Sequence, residues 1–189
     1  MTIQTSRFHR RYGNRLKQIT VACKFFCEFV MSTIRLVLCF GIVVAAHYLR
    51  NMSQESIHSS KAPEPVGLYP HAKRVGDLLF LSGVGPREKG TKKIPGVELD
   101  ADGKIISYNI ETQCRSVFQN VKYILEDAGS SWDKIIDVTV FLTNMKDDFP
   151  VYNKLWAEYF SENPPCRTTL EINCLPTPIA IELKVIATM

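Results

Sequence analysis

Few of the signatures that announce a reaction occur in this 189-residue sequence. There is no Walker-type glycine loop, no GxSxG elbow and no HExxH pair, which removes the corresponding phosphate-binding, serine-hydrolase and zinc-peptidase readings. Gly83-Val84-Gly85-Pro86 lacks the third glycine and the following helix of a dinucleotide fingerprint. The six cysteines form no CxxC pair and no Cys/His cluster at metal-ligand spacing. They read as reduced thiols serving as small apolar residues, with no structural disulfide and no metal site. None of the four histidines belongs to a recognisable triad, and His71 reads as a loop or surface residue.

Charge is scarce in one respect that the net value of +4 conceals. Residues 1–51 hold eight of the 23 basic residues and only one acid, Glu28, so the head carries +7 and the remainder −3. The body has no basic stripe, and no nucleic-acid partner is expected. A basic head on a mildly acidic body suggests targeting or membrane contact by residues 1–51. The unbroken apolar run Leu36–Ala46 falls short of the ~20 residues that span a bilayer. Extending it to Phe29–Leu49 reaches the length but encloses Arg35, which near a helix end can snorkel. The sequence is compatible with a membrane anchor or contact over residues 29–49. It also suits a mitochondrial transit segment over residues 1–27, a secretory signal starting at Met31, or a start at Met52 with no targeting segment. The domain itself would then be cytoplasmic or mitochondrial, and membrane-anchored if residues 29–49 are retained. Residues 52–65 are polar, with Ser and Pro, and read as a linker.

The body, 66–189, is long enough for one core. His71–Val75 and Leu78–Gly83 flank Gly76-Asp77, a hairpin signal. A Gly/Pro/Lys-rich loop over 83–96 precedes a weak strand at 104–108. Apolar residues from Ile110 to Ala128 recur at helical spacing, between Asn109 as N-cap and Gly129 as stop. Residues 136–143 alternate as a strand, with Ile136, Val138, Val140 and Leu142 on one face. Asp148 is expected to cap a second helix with Pro150 in its first turn. Strands follow at 167–173 and 179–188. The expected architecture is α+β: a single mixed β-sheet with both helices packed on one face. Leu170 and Ile172 are expected to point inward, and Arg167, Thr169 and Glu171 outward with Glu182. That outward face mixes Phe141 and Ile186 with charges, the pattern of a surface buried in a homo-oligomer.

Tyr69, Leu79–Gly83 (LFLSG), Asn153, the Pro165–Thr169 stretch (PCRTT) and the terminal strand around Ile181-Glu182-Leu183 resemble, in order and spacing, the RidA/YjgF family of enamine/imine deaminases. The resemblance covers essentially all of 66–189. The stretch from Val66 to Val97 and the later LPTPIAIELKV look like the 2-aminomuconate deaminase branch. The loop after the Ser-Gly strand is also more basic than is general in the family, with Arg87, Lys89, Lys92 and Lys93. The resemblance implies the chorismate mutase-like RidA fold and a homotrimer with clefts between subunits, each drawing residues from both neighbours. It implies a cofactor-free hydrolase acting on C–N bonds, with no metal.

By the same resemblance Arg167 and Glu182, fifteen positions apart, are the catalytic pair and converge on one pocket. Arg167 offers a planar fork for a substrate carboxylate, and Glu182 orients or deprotonates the attacking water. Tyr69, Ser82, Asn153 and the Thr169 main chain complete the site. A muconate carries two carboxylates, and Arg87 is the candidate for the second. The expected substrate is a small enamine or imine carboxylate, foremost 2-aminomuconate. The alternatives are a general imine deaminase of the 2-aminoacrylate type and, from another class, a non-catalytic protein-binding or chaperone-like trimer.

Overall fold

The computed structural model describes residues 41–45, 53–91 and 93–189. The chain divides into two compact units, Met1–Arg50 and Asn51–Met189. Of the first, residues 41–45 are helical and exposed. The rest of the head, and with it most of the 29–49 membrane expectation, lies outside the described residues, as does Lys92. Among the described residues no helix is long and apolar enough to cross a membrane.

The second unit runs β1 (Gln54–Ile57), β2 (Ala72–Val75), β3 (Leu78–Leu81), β4 (Val97–Leu99), β5 (Ile105–Tyr108), α1 (Ile110–Asp127), β6 (Ile135–Leu142), α2 (Met145–Tyr159), β7 (Cys166–Glu171) and β8 (Ile181–Thr188). Six strands form one mixed sheet in the order β1-β2-β3-β8-β6-β7, and β4-β5 form a separate ribbon. Among the described strands only β6 and β7 pair in parallel, and α2 supplies the crossover that parallel neighbours require.

Local chemistry accounts for the elements. Positive φ at Gly76 alone starts the β2–β3 turn, the requirement of a type II′ hairpin. Asn109 caps α1 by accepting from Thr112 N–H. At the other end Gly129 takes φ +79°, and Ser130 and Gly129 donate back to Leu125 and Glu126, the Schellman arrangement. Helix α2 starts earlier than expected: Asn144 is its cap, so Pro150 falls in the second turn. Asp148, expected as the cap, is buried and accepts from Tyr108 Oη at 2.8 Å. Burial holds the Asp148 carboxyl above its usual range, against the pull of that hydrogen bond. Tyr108 itself is pushed up to about 12, chiefly by burial.

Residues 54–61, within the stretch read as a linker, are paired and hydrogen-bonded to the domain. Strand β1 pairs with β2 along its length. Beyond it, Asp127 at the end of α1 accepts from Ser59 Oγ, Ser60 N and Lys61 N. His71, expected at the surface, is only 7% exposed. It accepts from Ser59 N at Nδ1 and reaches Pro63 O with Nε2, each at 3.0 Å. The two anchors fold residues 59–63 onto the domain.

Helices α1 and α2 cover one face. Ile181, Leu183, Val185 and Ala187 of β8 lie beneath them, fully buried with Val117, Phe118, Val121 and Leu125 of α1. Two strand phases differ from expectation. In β6 the pairing shifts between Ile135 and Asp137, so Ile135 is buried and Ile136 is 42% exposed. Such a bulge resets the alternation, which no periodicity count foresees. In β7 the inversion is complete. Register sets Arg167 beside Val138 and Thr169 beside Val140, two residues that face the helices. Arg167, Thr169 and Glu171 therefore share the helix side, and Leu170, 44% exposed, shares the open side. Apolarity could not set this phase, because the open side is itself half apolar.

Candidate active site

Arg167 sits at the sheet edge, on β7, under α2. Phe149, Tyr152, Asn153 and Trp156 recur on that helix at i, i+3, i+4 and i+7 and so share a face. The guanidinium lies over three of those rings, 4.9 Å from the centre of Trp156, 5.6 Å from Phe149 and 5.8 Å from Tyr152. It donates through Nη1 to Asn153 Oδ1 at 3.0 Å. Among the described residues it has no carboxylate within ion-pair distance. Aromatic faces stabilise a cation without consuming its N–H donors, which leaves the fork charged and free to bind an anion. Thr169, two residues on, has a buried hydroxyl with no partner among the described residues.

Glu182 is on the other face. It pairs in register with Phe141 and lines a cavity of about 110 Å³ with Tyr69, Gly83, Arg87, Thr177 and Ile179. Val84 extends β3 toward it, exchanging both backbone hydrogen bonds with Leu183 at 2.8 and 3.0 Å. Burial holds the Glu182 carboxyl above its ordinary value, and the positive charge of Arg87 opposes this. Arg87 donates to Glu64 O at 2.8 Å. Its loop is tied down by Asn120 of α1, whose amide donates to both Gly85 O and Arg87 O at 2.9 Å. Ser82 lines an adjoining pocket with Tyr69, His71 and Arg87, its hydroxyl donating to Pro70 O at 2.7 Å.

The structure thus brings together Tyr69, Ser82, Arg87 and Glu182 as one group, and Asn153, Arg167 and Thr169 as another. It does not bring the two groups together within one chain. The expectation that Arg167 and Glu182 share one outward face is corrected: they lie on opposite faces of the sheet, with β6 between their strands. Arg167 and Glu182 do not form an ion pair with each other.

The family model described as Endoribonuclease L-PSP matches residues 59–189. The chain belongs to this family, the RidA/YjgF family. A RutC family protein of Pyrococcus abyssi is 36% identical over 136 residues, covering 72% of this chain and 98% of that one. The chloroplastic Reactive Intermediate Deaminase A of Arabidopsis thaliana is 31% identical over 139 residues, covering 74% and 68%. The crystal structure of Escherichia coli TdcF with bound serine superposes with a TM-score of 0.61 at 29% identity, covering 71% of this chain and 98% of that one. The mixed α+β fold is that of RidA/YjgF proteins.

Within this RidA/YjgF domain several contributors to the two groups were not assigned from the sequence. The aromatic wall of Arg167, Phe149, Tyr152 and Trp156, carries no signal in the sequence beyond helical spacing, and on that face only Asn153 is marked, by the family resemblance. Asn120 carried no signal beyond being a polar residue at a core position of α1. Gly83 ends the LFLSG motif, which by itself gives it no role. Among the described residues no group of three or more His, Cys, Asp or Glu could hold a metal ion.

Proposed function

We propose that this domain hydrolyses small enamine or imine carboxylates, releasing ammonia, and does so at sites shared between chains of a homotrimer. The observation that carries the reading is an arginine held by aromatic faces and an amide, with no carboxylate on it among the described residues. A relative named Reactive Intermediate Deaminase supports the reaction class, and a relative with bound serine supports recognition of a small amino-acid-like ligand. The placing of Arg167 and Glu182 on opposite faces supports the shared site: a second chain must supply one of them.

The chemistry assigned to these groups needs no cofactor. Arg167 binds the substrate carboxylate through two parallel N–H donors. The enamine carbon takes a proton, giving an iminium whose carbon accepts water. Glu182, ionised, removes a proton from that water as the C–O bond forms. The same group returns that proton to nitrogen, and the C–N bond breaks as the carbinol O–H gives its proton to solvent, replacing the proton that solvent supplied to carbon, which leaves a keto acid and ammonia. Tyr69, Ser82, Asn153 and Thr169 line the site.

The finer reading is 2-aminomuconate, converted to 2-oxo-3-hexenedioate. Arg87 favours it, because a second cation beside Glu182 suits the distal carboxylate of a dicarboxylate. The test is ammonia release from 2-aminomuconate and from 2-aminoacrylate, by the parent chain and by Arg167→Lys and Glu182→Gln. Both variants are expected to lose 100-fold or more, on the order of what an acid–base group or a bidentate anchor contributes. Arg87→Met is expected to raise KM for the dicarboxylate alone. Full activity in Arg167→Lys would overturn the assignment of the anchor.

A further inference from the structure

Gly83 follows Ser82 and faces the cavity that Glu182 lines. Its φ is not positive, so no turn or left-handed backbone explains a glycine here. Space does. A Cβ built on Gly83 would lie 2.8 Å from Glu182 Cδ and 3.3 Å from Oε2. Carbon atoms meet comfortably at ~3.5–4.0 Å, so the carboxylate occupies the volume that any side chain at 83 would need. Gly85, two residues on, repeats the pattern: a Cβ there would lie 2.8 Å from Ile179 Cδ1. Val84 between them is buried and paired with Leu183. Residues 83–85 therefore form a strand extension whose cavity side is bare.

We propose that Gly83 is a positioning residue for Glu182, its missing side chain being the seat in which the carboxylate is held against the cavity wall. The inference rests on the reading of Glu182 as the base. Its energetic logic separates it from a folding role. The clash a side chain would make is with the free end of a flexible glutamate, not with backbone, so a larger residue moves the head of Glu182 by about 1 Å and leaves the fold intact. A displacement of that size is enough to cost on the order of 100-fold in rate. Among the described residues the charged or titratable groups that share this face are Arg87 and Tyr69 around the cavity, and Lys184, Asp137, Cys166 and Lys73 along the sheet.

The experiment compares the full chain with Gly83→Ala, Glu182→Asp and the double variant, reading kcat and KM for ammonia release from 2-aminoacrylate, thermal midpoint and the pH profile. Gly83→Ala is expected to lose kcat on the order of 100-fold with KM and thermal midpoint unchanged. Its acid limb moves down toward an ordinary carboxylate, because the displaced group is better hydrated. Glu182→Asp withdraws the carboxylate by one methylene, out of reach of the new methyl, so the double variant is expected to be no worse than Glu182→Asp alone. Gly83→Ala within threefold of the parent, a loss of its fold, or losses that multiply in the double variant would each overturn the proposal. Glu182→Gln separates the two failures. If it is inactive while Gly83→Ala is active, only the positioning role falls; if it is fully active, the base assignment falls and takes this with it.

Discussion

A guanidinium with no counter-anion beside it among the described residues is an unusual thing to build into a domain, and Arg167 shows how it is done. Each nearby ring contributes about 0.5–2 kcal/mol of attraction while leaving the N–H donors unspent. Trp156, at 4.9 Å, is the nearest. Trp156→Leu is expected to raise KM for the carboxylate substrate by roughly 3- to 30-fold. It should leave kcat unchanged, since the anchor holds ground and transition states alike. Trp156→Phe should restore most of the affinity; steady-state kinetics of the three proteins checks this. At this scale the sequence was informative about identity and less so about surroundings. Arg167 and Glu182 are singled out by the family resemblance, but their neighbours come from α2, from the loop after β3 and from a glycine whose importance lies in the atoms it lacks.

Among the elements, the strap that precedes β2 shows where composition misleads. Ser59, Ser60 and Lys61 look like linker residues because they are polar, yet their polar groups are spent on Asp127. Five contacts reach one carboxylate, four of them hydrogen bonds from three successive residues and one an ion pair with Lys61 at 3.6 Å. Asp127 is held down at about 2, mainly by the Ser59 hydroxyl and then by Ser60 and Lys61. Its folded value is below its unfolded one, so the stabilisation is complete above about pH 4 and fades as pH falls through about 2. Asp127→Ala is expected to cost about 1–2 kcal/mol at pH 7, measured by urea unfolding, with the gap to the parent closing near pH 2. The hairpin, both helices and the last strand were legible because glycine, caps and strong periodicity agree there. The β6 bulge and the β7 phase were not, because a one-residue shift leaves composition untouched and both faces of the sheet carry apolar side chains.

For the whole molecule, the open face explains more than its polarity suggests. Ile136, Leu170 and the half-buried Phe141 lie on the side away from the helices, where a single chain gains nothing by placing them. A partner chain on that face would cover them. That the protein is α+β with two helices on one side could be read from the order of elements. That its two chemical groups face apart could not, since no pattern along the chain records which side of a parallel edge strand meets a helix.

Because Arg167 and Glu182 look away from each other, the proposed shared site predicts that two broken chains mend one another. Arg167→Ala and Glu182→Gln are each expected to be silent alone. Unfolded together and refolded as a mixture, they would form some clefts that take the arginine from one lineage and the glutamate from the other, and ammonia release would return at a fraction of the parent rate. Silence in the mixture, with mixed oligomers demonstrated by mass, would mean that each chain works by itself. Genetic dominance follows the same logic: a single defective copy would spoil sites belonging to its healthy neighbours.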